Sequence, residues 1–424
     1  MTTAVVLLSY FGPGEKAPGV RIARLAIAAR RLNYHVSIIC AGSEDADYTW
    51  NNDVDVRMFR RRDPSEWRDR RRPLLTEVAQ KRTTPHLLPK PIRRLARALL
   101  QPDEYVLSAS RFFHRARKEC IRLEKEYQRV VAVVSSPPWS TAIVGILLRR
   151  AGAATVCFDL QDLWSGNPVA RWPPFGRFIA RSLERRVLRA AQGVLFVNEQ
   201  VARHYTSHWA FLSTKPSAIA PIGIEGDVPA VLEVRPREVM RIGYFGTLYQ
   251  DRSFANLLSA CQQLQERNPK PIVEWYGELL DDHPSLPALR NFVSQGVLRL
   301  HDSLPHAEAL EKMRAFDLLL AVPSPGYGEE LTTKLYDYMS VGRPVLALCP
   351  RGSYLDRFLD TSQAGVSFPP EDAEGIRAFV ERCLNDTVTL YPRVEFLAAH
   401  SIRAIGDALQ DLMNRLPPLA NDRQ

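Results

Sequence analysis

A carboxylate, an ammonium and a second carboxylate fall at Glu329, Lys334 and Asp337, inside the stretch PGYGEELTTKLYDYMSVGRPVL from Pro325 to Leu346. Seven residues separate the two acids. This set suits a ligand with phosphate in its middle and hydroxyls at both ends. A helix N-terminus offers unpaired N–H groups and a partial positive charge, which together hold phosphate. Lys334 in the first turn adds a full charge. Asp337, deeper in the helix, can accept two hydrogen bonds from a ribose diol. Glu329, in the loop, can touch a sugar beyond the phosphates. The same residues also fit a capped surface helix with a Lys334–Asp337 pair three apart, worth roughly 0.2–0.5 kcal/mol.

The elements that must position these groups read as loop, helix and buried strand. Gly326 and Gly328 let the loop backbone approach a ligand closely. Thr332 or Thr333 can cap the helix, and Leu335, Tyr338 and Met339 form an apolar stripe at the helical period. Gly342 stops the helix, Pro344 forbids its continuation, and Val345 to Leu348 reads as a short buried strand.

Glu, seven residues, an acid and then YMSVGRPVLA resembles the Glu-x7-Glu signature of family 4 glycosyltransferases. The resemblance implies retaining transfer from a nucleotide-sugar donor on the GT-B fold, two doubly wound Rossmann-like α/β domains facing across a cleft. It places Glu329 on the donor sugar and Asp337 on the ribose. Asp337 is one methylene shorter than the usual Glu.

The second half of the chain opens with RIGYFGTLYQDRS, a strand from Arg241 to Phe245 and a turn at Gly246. The family usually has G-R-L-x-x-x-K here, with Arg and Lys clamping the donor pyrophosphate. This chain has Gly246, Thr247, Leu248 and then Arg252 at the Lys position. Arg252 can clamp phosphate bidentately. A cation at a helix start is unfavourable unless an anion sits there, although a plain surface arginine is the alternative. The resemblance makes Glu329, Arg252 and Lys334 catalytic, with Gly246, Thr247, Thr333 and Asp337 binding the donor. Strands follow at Ile272 to Tyr276 and Val297 to His301, and the resemblance implies that Leu304 and Pro305 are candidates for backbone or apolar contact with the base. The helix Pro305 to Arg314 precedes Asp317 and a strand from Leu318 to Val322.

The first half begins with a strand at Ala4 to Ser9, the Gly/Pro loop YFGPGEKAPGVR, a helix from about Val20 to Leu32 and a strand at His35 to Cys40. This is a doubly wound opening, in which ligands bind at the carboxyl ends of strands. Gly14, Gly19 and Arg21 are the nearest equivalents of the family's donor-facing glycine loop, and a plain turn before a helix is the other reading. SSPPWS (Ser135 to Ser140) and FDLQDLWSGNP (Phe158 to Pro168) resemble bacterial surface-polysaccharide members. There Asp162 and Trp164 would line the acceptor side of the cleft, unless Asp162 merely caps a turn. No cleft histidine is assigned, and His114 reads as a surface residue. Pro221-Ile-Gly-Ile-Glu225 stands where the family has P-N-G-V-D. The Pro- and charge-rich stretch Glu225 to Val239 reads as the interdomain linker.

At 424 residues the chain suits two domains. The expected division is an N-terminal domain of 1–225, a nucleotide-sugar domain of 226–400, and a final helix and tail of 401–424 crossing back to the first. No apolar run reaches the roughly 18–20 residues that span a bilayer, and MTTAVVLLSY reads as a first strand rather than a signal peptide. The six scattered cysteines form no zinc or redox motif. These features imply a cytoplasmic protein, possible also on the inner face of the cell membrane.

The net charge of +9 is concentrated. Between Arg57 and Arg97 stand 14 Lys/Arg and 4 Asp/Glu, a balance of +10. Trp67, Leu74, Leu75, Leu87, Leu88 and Leu95 interleave with them, which suits an anionic membrane surface. A solvated charge run is the plainer reading. No helix-turn-helix, zinc or RNP signal points to nucleic acid. The expected partners are a UDP- or GDP-sugar donor, a lipid-linked acceptor and that membrane surface, with no metal site and no cofactor. A sugar-nucleotide epimerase of the same fold, or a non-catalytic nucleotide-binding scaffold, are the competing classes.

Overall fold

The computed structural model describes residues 3–51, 53–60, 72–73, 102–167, 170, 175–234, 236, 238–249, 252–279, 285–323, 331–385 and 388–417. The expectations placed on Gly326, Gly328 and Glu329, on nearly all of the basic segment and on the tail past Pro417 lie outside those residues. Ile224–Ala399 forms one compact unit, with Arg72–Pro73 paired to its Glu278–Leu279. The remaining described residues up to Gly223, with those from His400 onward, form the other.

The first unit is built on an eight-stranded sheet. Its order is Ala46–Trp50, Val54–Arg60, His35–Gly42, Thr3–Leu8, Arg129–Ser136, Thr155–Leu160, Gly193–Phe196 and Ser217–Ile219. All neighbours are parallel except the edge strand Ala46–Trp50. Sequence patterning missed that strand because DYTW is half-exposed and polar. The central strands are continuous apolar runs, as burial on both faces requires; Val5, Leu7, Val131 and Val133 are fully buried. The first helix is Lys16–Arg31, not Val20 to Leu32. Pro18 falls in its first turn, where a missing N–H costs no intrahelical bond. The final helix, Ile402–Arg415, spaces Ile402, Ile405, Leu409 and Leu412 at the helical period and buries them in the core shared with Ile22, Leu25 and Ala29. Arg129 donates to the carbonyls of Met413 and Leu416 and ties that helix end to the sheet.

The second unit carries a six-stranded parallel sheet in the order Leu298–His301, Lys270–Tyr276, Val239–Phe245, Leu318–Ala321, Val345–Leu348 and Gly365–Phe368. Helices Ala255–Gln263 and Ala373–Asn385 pack their apolar stripes on it through Leu257, Leu258, Ile376 and Val380. The stretch read as a linker is not wholly irregular, for Leu232–Val234 pairs antiparallel with Val388–Leu390. Both sheets are mixed with helices in the doubly wound α/β manner.

Candidate active site

The site forms in the second unit at the carboxyl ends of Val239–Phe245 and Leu318–Ala321, where doubly wound sheets receive ligands. Helix Thr333–Ser340 opens there. Its N-cap is Thr332, in extended backbone, yet the Thr332 side chain makes no capping bond, against the expectation of a threonine cap. The first N–H groups of a helix have no intrahelical partner in any case. Tyr338 anchors the helix from below: its hydroxyl donates to the Leu320 carbonyl and accepts from the Phe245 N–H. Gly342 closes the helix at φ +64°, as the sequence indicated.

Gly246 follows the strand at φ +118°, a backbone that side chains rarely adopt. A Cβ there would lie 2.3 Å from Lys334 Nζ, so the glycine makes room for the lysine. The Gly246 carbonyl accepts from the Trp275 indole at 2.9 Å, and Gly277 leaves space for that same carbonyl. The close approach therefore depends on two glycines and a tryptophan, all fixed by the sheet.

Arg252 and Lys334 line one small concavity, together with Tyr244, Val322, Thr332 and Leu355. The Lys334 ammonium lies 5.1 Å from the centre of the Tyr244 ring, and the Arg252 guanidinium 4.7 Å from that of Tyr249. Among the described residues Lys334 makes no hydrogen bond or ion pair. The residue as a whole keeps some exposure, while its charged end is surrounded by protein. Burial first, and the Arg252 charge second, pull its pKa down to about 7; the Asp337 carboxylate pushes back. Thr247 is partly buried beside them, its carbonyl accepting from the Tyr244 hydroxyl. Thr333 is partly buried at the first helical position.

Asp337 is 4% exposed and shares its Oδ1 with His306 Nε2 at 3.2 Å. The imidazole is the more accessible of the two, with a quarter of its side chain exposed. His306 opens the helix His306–Met313, directly after Leu304 and Pro305. Sequence reasoning found no histidine for the site. The available signal was a Pro-His pair one short loop after a strand end. Asp317 plays a structural part, with Oδ2 accepting from the Arg241 N–H at 2.8 Å. His114 is exposed.

In the first unit Gly14 has φ +80° and donates to the Gly19 carbonyl, so it shapes the loop. Gly19 is buried, and a Cβ there would lie 2.1 Å from the Gly12 carbonyl oxygen. Arg21 corrects its expected role. It is 1% exposed, its Nε and NH2 donate to the two Asp159 oxygens at 3.2 and 2.7 Å, and its NH1 donates to the Pro221 carbonyl. All three nitrogens are occupied within the fold, so this arginine does not reach a donor phosphate. Trp164 is likewise corrected: it is 2% exposed and stacks on Trp139 at 4.7 Å, which makes it packing rather than lining. Asp162 is partly buried, and its carbonyl accepts from the Tyr205 hydroxyl, which also accepts from the Trp164 N–H. Among the described residues no cluster of three or more His, Cys, Asp or Glu could hold a metal ion, and no helix is long and apolar enough to cross a membrane.

Comparison with known proteins gives one curated relative and a set of solved folds. Probable glycosyltransferase WbjE of Pseudomonas aeruginosa is 27% identical over 140 residues, which are 32% of this chain and 34% of that protein. The chain thus spans about a third of the length of the curated relative it matches. The E. coli trehalose-6-phosphate structure bound with UDP-2-fluoro glucose superposes with a TM-score of 0.61 at 12% identity, over 98% of this chain and 100% of that one. Anabaena Alr3699/HepE in complex with UDP and glucose gives 0.54 at 12%, over 98% of each chain. WaaG, a glycosyltransferase involved in lipopolysaccharide biosynthesis, gives 0.54 at 14%, over 97% of each. No family model matches the chain. At such identities the structural likeness shows the fold, and that fold is GT-B.

Proposed function

We propose that this chain is a glycosyltransferase that moves a sugar from a nucleoside-diphosphate donor, UDP- or GDP-linked, to an acceptor hydroxyl with retention. The observation that carries the reading is the pairing of Arg252 with Lys334, whose pKa is lowered and whose ammonium has no ion pair among the described residues, on one concavity at a helix start. Two cations held together repel one another, and a diphosphate removes that repulsion. Donor folds with UDP bound, in the Anabaena and E. coli proteins, agree with it.

Glycosyl transfer builds positive charge on the sugar and negative charge on the leaving phosphate. In this reading Arg252, Lys334 and the N–H groups at Thr333 stabilise the departing diphosphate, and a recharged lysine does so most strongly. Gly246 and Thr247 shape the phosphate floor. The His306–Asp337 pair takes the ribose, with His306 presenting the accessible edge and Asp337 fixing its ring. Glu329 holds the donor sugar. Asp162, Gly14 and Gly19 belong to the acceptor-side unit. The cationic side chains supply the charge neutralisation, so the reaction is expected to run without a metal.

The acceptor is a lipid-linked oligosaccharide or glycolipid in cell-surface polysaccharide assembly, reached on the cytoplasmic face of the membrane. The basic, Leu-rich stretch 57–97 supports that placement. Calorimetric titration with a panel of nucleotide sugars tests the core of the reading. A UDP- or GDP-sugar should bind at micromolar concentration and lose at least tenfold with Lys334→Met. A panel with no binder below millimolar would sink it. The anomeric configuration of the product, read by NMR, tests retention.

A further inference from the structure

We propose that the outer face of helix Gly176–Ala190 docks on an anionic lipid membrane. Its inner face is conventional, with Ala180, Val187 and Leu188 buried in the first unit. The outer face is not. Phe175 is 84% exposed and Phe178 75%, and Ile179 beside them is 39% exposed. Arg177, Arg181, Arg185, Arg186 and Arg189 are exposed along the same helix.

The charge is unopposed within the helix. Its one acid, Glu184, is 3% exposed and turned inward, where its carboxylate accepts from the Ser165 hydroxyl and the Trp209 indole. Five outward cations therefore stand with no outward anion on this helix. Phe178, Arg181, Arg185 and Arg189 follow one another at three, four and four residues, which lines them along a single side. Arg181 lies 5.3 Å from the Trp209 ring centre and Arg189 5.7 Å from that of Phe211, so half-buried aromatics extend the face.

Phe175 adds a second kind of observation. Its backbone is left-handed, at φ +60°, a conformation costly for a bulky residue. The fold holds a ring out into solvent on a strained backbone, where burial would be the ordinary outcome. Two phenyl rings at one end of an arginine-covered helix match the chemistry of a lipid interface. The rings enter the headgroup–acyl boundary and the guanidinium groups meet lipid phosphates. A second copy of this chain is a poor occupant, because a two-fold contact would set arginine against arginine. The inference shares only the anionic membrane with the proposal for residues 57–97, and stands apart from it and from the donor site.

The test is co-sedimentation of the full chain with vesicles of phosphatidylcholine alone or mixed with phosphatidylglycerol. The parent should sediment with the mixed vesicles and not with the neutral ones. Arg177→Gln/Arg185→Gln/Arg186→Gln should lower that partitioning roughly tenfold or more at low salt, since each cation near an anionic surface contributes. Phe175→Ser/Phe178→Ser should remove most of the binding that survives raised salt. Nucleotide-sugar titration and thermal melting of the same variants should match the parent; if the serine pair melts early, the glutamine triple decides. A parent that ignores both vesicles, a parent that instead binds random-sequence RNA, or variants that bind within twofold of the parent would each overturn the proposal.

Discussion

Arg21 in the first unit and Lys334 in the second are both cations near the start of a helix that follows a strand and loop, and they have opposite surroundings. Arg21 is sealed in and answered on every nitrogen by Asp159 and the Pro221 carbonyl. Lys334 sits over an aromatic ring beside a second cation, and its pKa falls to about 7. Burial alone does not separate a structural cation from one that awaits a ligand. The presence of a built-in anion does. A paired charge has already exchanged its water for protein, whereas an unpaired one keeps a desolvation cost that an arriving phosphate relieves.

The comparison breaks most sharply on stability. Arg21→Ala strands Asp159 in the core with Ser135 as a remaining partner. Removing one member of a buried pair costs about 3–5 kcal/mol, so urea denaturation should show a drop of that order. Donor affinity per folded molecule should not change. A variant with the parent's midpoint would show that Arg21 is not the structural cation described above. Lys334→Met should do the reverse: stability within about 1 kcal/mol of the parent, and turnover down roughly 100-fold, as for loss of one charge-stabilising group. Full turnover in that variant would remove Lys334 from the chemistry.

Gly246→Ala tests whether the lysine's position is set by its neighbour. The added methyl would fall 2.3 Å from Nζ on a backbone at φ +118°. Strain of that kind costs about 1–3 kcal/mol, and the displaced ammonium should weaken donor binding about tenfold. Unchanged binding would mean the lysine moves without penalty. A smaller effect is expected at His306→Ala, where one hydrogen-bonding edge is lost, worth about 0.5–1.5 kcal/mol. It should appear in the donor KM more than in kcat, and a change confined to kcat would contradict a ribose contact.

Much of this was legible in the residues themselves. The apolar runs at Val5 to Leu8 and Val130 to Val134 can hardly be anything but strands buried on both faces. The glycine that ends the Thr333–Ser340 helix was readable for the same reason: only one residue type takes φ +64° at no steric cost. The convergence of Arg252 with Lys334 came from spacing joined to a family resemblance, and the fold places both on the lining of one concavity. Arg21 was misread because its partners, Asp159 and Pro221, are 138 and 200 residues away. His306 was missed for a similar reason, as its meaning depends on Asp337 across 31 residues. Trp164 was misread because a tryptophan after a strand end serves a cleft and a core equally well, and only Trp139 stacked on it decides. Long-range pairing is what one-dimensional pattern cannot see.

The finest test of the contrast is the pH dependence that Lys334 alone imposes. Its folded pKa is about 7, against roughly 10.4 for a lysine in an unfolded chain. Below pH 7 both states hold the proton, and the desolvated charge lowers stability in full. Between 7 and 10.4 the unfolded chain keeps a proton that the folded one has released, so stability rises with pH through that window. Lys334→Met deletes this contribution and leaves every other ionisation in place. The variant should therefore gain on the parent at pH 6 and lose more than half of that advantage by pH 9. Partial exposure of the residue screens the effect, and a change of about 1 kcal/mol is expected rather than the full 1.4 kcal/mol per pKa unit. A saturating nucleotide sugar, whose diphosphate keeps its charge over this range, should recharge the lysine and flatten the difference. Parallel urea midpoints at pH 6 and 9 without donor would mean that the ammonium is solvated after all, and the distinction between a sealed cation and a waiting one would lose its second member.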